Sequence, residues 1–398
     1  MNILDHPVYR TIQEWHDDLR MFRRDLHKHP ELAFEETRTA SCISERLEAW
    51  GISVHRGLAK TGVVATLRHG TSTRAIGLRA DMDALAMEEA SEAPHRSIAA
   101  GRFHGCGHDG HTTMLIAAAR YLARERPFDG VVHFIFQPAE ENEGGGRVMV
   151  EQGLFEKFPC DTVFGMHNIP GLPLGNFAVR SGPMMAGFDV FEIRLHGKGG
   201  HAALPNKTSD VIVTAGQLIA ALQCIVSRNV APTDNAVLSV TQVHAGSTYN
   251  VLPESASLVG TVRYFSEEVQ RLIERRIRSL ATNISAAHEV SVEIRYEQRY
   301  PPTINDPQAA ALSANVLADT FGEESVNRAP IPLMAAEDFA FMLQARPGAY
   351  VWAGNGDDKG GTCGLHAPRY DFNDDLIPLG ATFWVELVRR VLGPNARR

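Results

Sequence analysis

Residues 131–136 (VVHFIF) form a short run of mostly β-branched and aromatic side chains. Such a run is typical of a strand that is buried on both faces of a parallel sheet. Further apolar runs at 62–67, 75–79 and 162–166 have the length of strands, and residues 112–123 have the spacing of a helix. Strands that alternate with helices predict an α/β fold with a mostly parallel sheet and helices on both faces. Residues 9–26 and 36–50 also have helical spacing.

The pattern changes near Gly187, where polar and apolar residues begin to alternate. The predicted elements are then a strand at 190–195, a helix at 209–227, strands at 237–244 and 257–265, a helix at 267–287 and a strand at 290–296. The order β-α-β-β-α-β matches a ferredoxin-like α+β module. We therefore predict a catalytic domain in two parts, residues 1–186 and 301–398, interrupted by an inserted ferredoxin-like domain at 187–300.

Composition excludes several classes of protein. The net charge of -8, with both signs interspersed, argues against a nucleic-acid-binding protein, which would carry a basic face. The sequence has no run of about 18 apolar residues, so no membrane span is expected. Five cysteines without paired spacing indicate a reducing compartment, and the charged N-terminus lacks the apolar core of a signal peptide. We therefore expect a cytoplasmic protein.

The segment 105–111 (GCGHDGH) is the strongest chemical signal in the chain. Cys106 and His108 are separated by one residue, and the flanking glycines allow a tight turn from which both side chains can reach one metal ion. Taken alone, the segment is also compatible with a surface loop that carries incidental histidines.

Glu140 and Glu141 follow the buried run 131–136 almost directly. In open α/β sheets, sites form at the carboxyl ends of strands, and two carboxylates there are costly unless a cation is near. One carboxylate can bind a metal while its neighbour takes a proton from water. A charged turn remains the alternative.

His167 and His366 complete a set of five candidate metal ligands. A single histidine is more often structural than a ligand, but a mixed set of Cys, His and Glu at strand ends is what two closely spaced divalent ions need. Asp81 and Asp83 follow the run 75–79 at the same predicted edge. An aspartate there can hydrogen-bond a ligating imidazole, or it can simply form an Asx turn.

The chain resembles the aminoacylase and hippurate-hydrolase branch of the zinc-peptidase family that also contains carboxypeptidase G and succinyl-diaminopimelate desuccinylase. The resemblance covers nearly the whole chain. Its segments are RRDLHKHPELAFEE, LRADMDAL, GCGHDGHTTML, FQPAEE, GMHN, GKGGHAALP, MAAEDFAFML and LHAPRYDFND. It implies the family's fold, with the inserted domain serving as a lid and dimerisation domain.

Site residues are carried over by this resemblance. The binuclear metal ligands would be Cys106, His108, Glu141, His167 and His366. Glu140 would be the general base, and Asp83 would support the metal site. Asp81 stands where other branches carry a histidine ligand, so the resemblance leaves its role open.

Three further residues are implied in the inserted domain. His201 resembles the histidine that stabilises the oxyanion, usually donated across a dimer interface. Asn250 and Arg263 resemble residues that hold the substrate carboxylate. Read without the resemblance, His201 would be a loop residue, Asn250 part of a turn, and Arg263 half of a surface ion pair.

The resemblance implies an amidohydrolase that cleaves N-acyl-L-amino acids, such as N-acetyl or N-benzoyl compounds, into a carboxylic acid and an amino acid. Two divalent ions per subunit are expected, with zinc preferred and manganese, cobalt or nickel as substitutes. The expected partners are a small-molecule substrate and a second subunit in a homodimer or a higher homo-oligomer. The alternatives are a dipeptidase or carboxypeptidase with the same metal site, and a non-catalytic binding protein on this fold.

Overall fold

The structure is a computed structural model that describes residues 3–141, 143–356 and 364–393. The chain forms two compact units. The larger unit comprises Met1–Met184, Ile304–Ile331 and Asp338–Arg398. The smaller unit comprises Met185–Thr303 and Pro332–Glu337.

The segment 332–337 belongs to the smaller unit, whereas the sequence placed it in the second part of the catalytic domain. The backbone N–H of Ala186 donates hydrogen bonds to the carbonyl groups of Leu333 and Ala335, and Met185 forms a parallel bridge with Leu333. These contacts join positions far apart in the chain, and no periodicity at 332–337 signals them.

The larger unit is built on an eight-stranded sheet with the strand order β1-β2-β4-β3-β5-β16-β6-β15. Its strands are β1 (Ser53–Leu58), β2 (Gly62–His69), β3 (Ala75–Asp81), β4 (Gly130–Gln137), β5 (Thr162–Ile169), β6 (Phe177–Ala178), β15 (Val326–Asn327) and β16 (Gly348–Gly354). The neighbouring strands β4, β3, β5 and β16 are parallel, while β1, β2 and the β16–β6 pair add antiparallel edges. Two short strands, β7 (Gly182–Met185) and β14 (Thr303–Asn305), pair separately.

The helices of this unit are α1 (Pro7–Gln13), α2 (His16–Lys28), α3 (Thr37–Ala49), α4 (His108–Glu125), α5 (Gly145–Glu151), α6 (Leu154–Lys157), α9 (Pro307–Phe321), α10 (Phe339–Ala345) and α11 (Leu376–Leu392), with 3-10 turns at Ile3–Asp5 and Glu323–Ser325. Helices α4 and α11 pack on each other and on β3, whereas α5 and α10 pack on each other and on β4 and β5 respectively. All eight residues of β4 are buried, as the run at 131–136 predicts. The α/β fold with a mostly parallel central sheet is confirmed.

The smaller unit has a four-stranded antiparallel sheet with the order β10-β12-β8-β13. Its elements are β8 (Gly187–His196), β9 (Gly200–His201), a 3-10 turn (Pro205–Lys207), α7 (Val211–Cys224), a π-helical turn (Ile225–Asn229), β10 (Ala236–Ala245), β11 (Val251–Leu252), β12 (Ser255–Tyr264), α8 (Glu267–Ala287) and β13 (Ser291–Tyr300). The chain order β8-α7-β10-β12-α8-β13 and the sheet order are those of the predicted ferredoxin-like module.

Two local predictions were wrong. The predicted helix at 9–26 is two helices, because the chain turns at Glu14 and Trp15, where the N–H of Trp15 bonds to the carbonyl of Ile12. His167 lies inside β5 rather than at its end. Among the described residues, one helical stretch, Val211–Asn229, is long and apolar enough by length and composition to cross a membrane, and 33% of it is buried in the structure. It is not a continuous apolar run, because it includes Gln217, Gln223 and Arg228.

Candidate metal centre and catalytic residues

The parallel arrangement of β3, β4 and β5 brings their carboxyl ends to one edge of the sheet. Asp81 is the last residue of β3 and lies opposite Gln137, the last residue of β4. Asp83 follows β3, and Glu140 and Glu141 follow β4, so these four carboxylates leave the sheet on the same side.

Cys106 and His108 lie at the start of α4, which begins at His108 itself rather than after the glycine-rich segment. Gly107 has a φ of 92°, in the left-handed region that favours glycine. A Cβ at this position would collide with the side-chain amide of Asn168 and the hydroxyl of Tyr370. The glycine therefore lets the chain enter α4 tightly against β5 and carry both ligand candidates in one turn.

Two of the groups of closely spaced metal-ligand atoms in this region share Cys106. Cys106, His108 and His167 make one group, Cys106, Glu141 and His366 make the other, and the ligand atoms of each group lie within 4.8 Å of one another. The structure thus brings together the five ligand candidates that the sequence singled out. Cys106 belongs to both groups, which is the arrangement required of a ligand shared by two ions.

Individual distances describe how close these groups are. The Cys106 sulfur lies 3.3 Å from Nε2 of His167. Nε2 of His366 lies 3.0 Å from Oε1 of Glu141, although this carboxylate oxygen makes no hydrogen bond of good geometry among the described residues. Glu140 is buried beside this pair, and together with His108 and Glu141 it makes a further group of closely spaced ligand atoms.

The residues present fit bound cations. Nε2 of His108 is buried and has no hydrogen-bond partner among the described residues, an arrangement that costs free energy unless something binds there. Burial and the nearby Glu141 and Glu140 carboxylates raise the pKa of the Cys106 thiol well above its usual range. Cations would compensate this negative charge and bind the thiolate, so that metal binding releases a proton.

The hydrogen bonds of His108 and His167 leave the correct nitrogen of each ring for a cation. Nδ1 of His108 lies 3.2 Å from Oδ1 of Asp83, and Nδ1 of His167 lies 2.7 Å from the carbonyl of Asn168. Nδ1–H donates in both cases, so Nε2 is the nitrogen left to bind a cation. Burial lowers the pKa of His167 well below its usual value, and the neighbouring His111 lowers it further.

His108 is held by two carboxylates. Burial lowers its pKa, but Asp81 and Asp83 raise it more, to about 10. A cation at Nε2 would take the place of this proton. The second oxygen of Asp83 accepts the backbone N–H of Glu141 at 3.0 Å, so Asp83 ties one ligand ring to the turn that carries another ligand.

Asp81 serves a different set of partners. Its carboxylate accepts hydrogen bonds from Arg79 at 2.8 Å and from Nδ1 of His111 at 2.6 Å, and it lies 3.8 Å from Nε2 of His108. Burial would raise the pKa of Asp81, but His108, His111 and Arg79 together hold it well below its usual range. We interpret Asp81 as a buried anion that positions His111 and counters the charge of Arg79.

Sequence reasoning missed the layer beneath the ligands. Nε2 of His111 lies 2.7 Å from Oδ1 of Asn168, whose backbone carbonyl binds His167. Arg79 is fully buried, and its guanidinium donates to Gln137 at 2.8 Å and lies 3.3 Å from Asp338. The helical spacing of His108 and His111 could have signalled that both rings face one site.

The predicted residues of the smaller unit are placed as follows. His201 is exposed in β9 and pairs with Val251, and the N–H of Ala202 bonds to the carbonyl of Asn250 at 3.1 Å. His201 and Asn250 therefore lie close together. Arg263 belongs to another sheet, where its guanidinium lies 4.5 Å from the ring centre of Phe188 and half burial lowers its pKa.

Residues 77–390 match the family model described as peptidase family M20/M25/M40. The chain is 40% identical over 375 residues to a hippurate hydrolase from Campylobacter jejuni, covering 94% of this chain and 97% of that protein. It is 38% identical over 380 residues to an N-acetylcysteine deacetylase from Bacillus subtilis, covering 95% and 98%. It also resembles the crystal structure of a dinuclear metal-binding M20 peptidase from Bacillus subtilis, with a TM-score of 0.83, 35% identity and coverage of 96% and 99%.

Proposed function

We propose that this chain, which belongs to peptidase family M20/M25/M40, is a binuclear metal-dependent amidohydrolase of N-acyl-L-amino acids. Its products would be a carboxylic acid and a free amino acid, and the acyl group would be an N-acetyl or N-benzoyl group. The observation that carries this proposal is the pair of ligand groups that share Cys106 beside the buried Glu140. The relatives named hippurate hydrolase and N-acetylcysteine deacetylase support the class of substrate.

The residues that would hold the two cations are those of the two groups, with Cys106 common to both. When bound, divalent cations supply Lewis acidity that lowers the pKa of water and polarises an amide carbonyl. A carboxylate oxygen of Glu140 would take the proton of the attacking water and return it to the nitrogen of the leaving amine. Asp83 and the carbonyl of Asn168 keep the imidazoles of His108 and His167 in the tautomer that leaves Nε2 free.

Zinc is the proposed metal. A donor set of one thiolate, three imidazoles and a carboxylate suits zinc, whereas manganese, cobalt or nickel could replace it at some sites. Elemental analysis of protein purified without added metal would test this, and the proposal requires about two ions per subunit. A content of magnesium or calcium alone would contradict it.

The smaller unit is proposed to act as a lid and dimerisation domain, with hinges near Gly187 and Pro301. His201 would stabilise the oxyanion of a partner subunit, and its exposed position in β9 makes the imidazole available to another molecule. Asn250 and Arg263 would bind the free carboxylate of the substrate by charge-assisted hydrogen bonds.

A homodimer is supported by α7. Ile212 and Val213 are exposed on this helix, although an apolar helix of a monomer normally buries such side chains. Sedimentation of the protein as a monomer at micromolar concentration would argue against the dimer.

A cytoplasmic location is also proposed, since all four cysteines in the described residues are free; Cys363 lies outside them.

A substrate panel tests the reaction. N-acetyl amino acids, N-benzoylglycine and dipeptides would be compared at equal concentration with metal-loaded protein. The proposal requires that kcat/KM for an N-acyl amino acid exceed that for every dipeptide. The reverse order would indicate a dipeptidase or carboxypeptidase with the same metal site, and bound metal without turnover on any amide would indicate a binding protein.

A further inference from the structure

Glu36 is a fully buried carboxylate immediately before α3. One of its oxygens accepts the backbone N–H of Ala139 at 2.9 Å, and the other accepts the hydroxyl of Thr61 at 2.5 Å. Both oxygens are therefore used, and one of them binds the residue that directly precedes Glu140. Glu36 has no part in the proposed metal binding or proton transfer.

Ala139 is a strained residue. Its φ of 54° lies in the left-handed region, which is sterically unfavourable for a residue that has a Cβ. Its N–H is held by Glu36, and its carbonyl accepts the N–H of Gly145 at 2.8 Å. Because Ala139 lies between the end of β4 and the turn that carries Glu140 and Glu141, its conformation affects the direction in which these two residues leave the strand.

We propose that Glu36 is a positioning residue for the general base, Glu140. By accepting the N–H of Ala139, it keeps Ala139 in the left-handed conformation and thereby orients Glu140. This inference rests on the proposed function of Glu140. It complements the role of Asp83, which holds the N–H of Glu141 at 3.0 Å. The turn that carries a base and a ligand is thus fixed by two buried carboxylates that act on two peptide groups.

The environment of Glu36 supports a role in orienting the peptide group of Ala139. Burial raises the pKa of Glu36 to about 7, while the hydrogen bonds from Thr61 and Ala139 lower it. An apolar residue of similar volume would avoid this desolvation cost but could not accept an N–H. The acid is therefore suited to orient a peptide group rather than to fill the core.

The test compares Glu36→Ala, Glu36→Asp and Glu36→Gln with a control, Glu31→Ala. Glu31 belongs to the same segment and accepts the N–H groups of Arg38 and Thr39 at 2.9 and 2.7 Å, both in α3. Losing it should therefore destabilise the protein without releasing the turn at Ala139. Two quantities are measured on the metal-loaded protein: kcat and KM for N-acetyl and N-benzoyl amino acids, and amide hydrogen exchange of the peptide that spans residues 137–141.

We expect Glu36→Ala and Glu36→Asp to lower kcat about 10- to 100-fold with KM changed less than about threefold, because a shift of about 1 Å in the base costs this much. Amide exchange at Ala139 should become faster in both variants. Glu36→Gln should retain kcat within about threefold, since its amide oxygen accepts the N–H and its NH2 group can donate to Thr61. Glu31→Ala should lower the melting temperature but leave kcat unchanged.

Two results would overturn the inference. The first is a loss of kcat in Glu36→Asp and Glu36→Ala that is no larger than the loss in Glu31→Ala. The second is an amide of Ala139 that stays protected from exchange in both Glu36→Asp and Glu36→Ala. If Glu36→Ala does not fold, Glu36→Asp carries the comparison. If the wild-type protein hydrolyses none of the amides, the proposed function fails instead. Amide exchange at Ala139 in the Asp and Gln variants then decides alone whether Glu36 holds the turn.

Discussion

Replacing Asp83 by asparagine tests how the metal centre is held. Asp83 accepts two hydrogen bonds on separate oxygens, from Nδ1 of His108 at 3.2 Å and from the N–H of Glu141 at 3.0 Å. Asparagine keeps the shape but offers only one acceptor. If its oxygen accepts from Glu141, its NH2 group faces Nδ1 of His108 and favours the tautomer with the proton on Nε2, the nitrogen needed by a cation.

The expected loss of metal affinity follows from the loss of one charge-assisted hydrogen bond, which is worth about 1.5–3 kcal/mol. Since about 1.4 kcal/mol corresponds to a factor of ten in an equilibrium constant, Asp83→Asn should weaken the binding of at least one cation about 10- to 100-fold. The assay is a titration of metal-free protein with zinc in competition with a chromophoric chelator.

Asp189→Asn is the matched control. Asp189 is also fully buried and accepts on separate oxygens, from Tyr264 at 2.8 Å and from Tyr296 at 2.7 Å, in the smaller unit. This substitution should lower thermal stability but leave zinc affinity unchanged. Wild-type affinity for both ions in Asp83→Asn, or an equal loss in Asp189→Asn, would refute the reasoning.

Two further outcomes are expected. Glu140→Gln should lower turnover by several orders of magnitude while both metals stay bound. The control is Glu143→Gln, which changes an exposed residue of the same turn and should have no effect on steady-state hydrolysis. Wild-type-like turnover in Glu140→Gln would exclude Glu140 as the base. Burial lowers the pKa of His27, but its hydrogen bond to Asp109 at 2.8 Å raises it more, from 6.5 to about 9. Because the folded-state pKa is the higher one, this ion pair stabilises the protein fully below pH 6.5, and the stabilisation is lost as the pH rises through about 9. Urea unfolding at pH 6 and pH 9.5 should therefore show a loss of stability with pH that is smaller in His27→Gln, and an equal loss in both proteins would contradict the assignment.

Much of the fold could be predicted because the buried strands are short and uniformly apolar. The run at 131–136 led to β4, and the change of pattern near Gly187 led to the ferredoxin-like unit. The edge strand β1 (Ser53–Leu58) was missed because five of its six residues are exposed or only partly buried, so its sequence carries no apolar run. It pairs with β2 in the antiparallel direction.

In the candidate site, too, some residues could be predicted from the sequence and others could not. Glu140 and Glu141 were found because they follow a recognisable strand, and sites collect at strand ends. The contact between Arg79 and Asp338 could not be found in this way, because it spans 259 positions. The same holds for Glu36, whose bond to Ala139 spans 103 positions and depends on how the segment before α3 packs beside the end of β4. Residues that bind metals have chemical signatures in sequence, but the residues that orient them mostly do not.

The shared ligand Cys106 is most directly tested by anomalous diffraction at the zinc edge from crystals of the metal-loaded protein. Two peaks are predicted, each about 2.3 Å from the Cys106 sulfur and about 3.5–4 Å from each other. One should lie beside His108 and His167, and the other beside Glu141 and His366. A single peak, or two peaks of which either lies away from Cys106, would contradict the account.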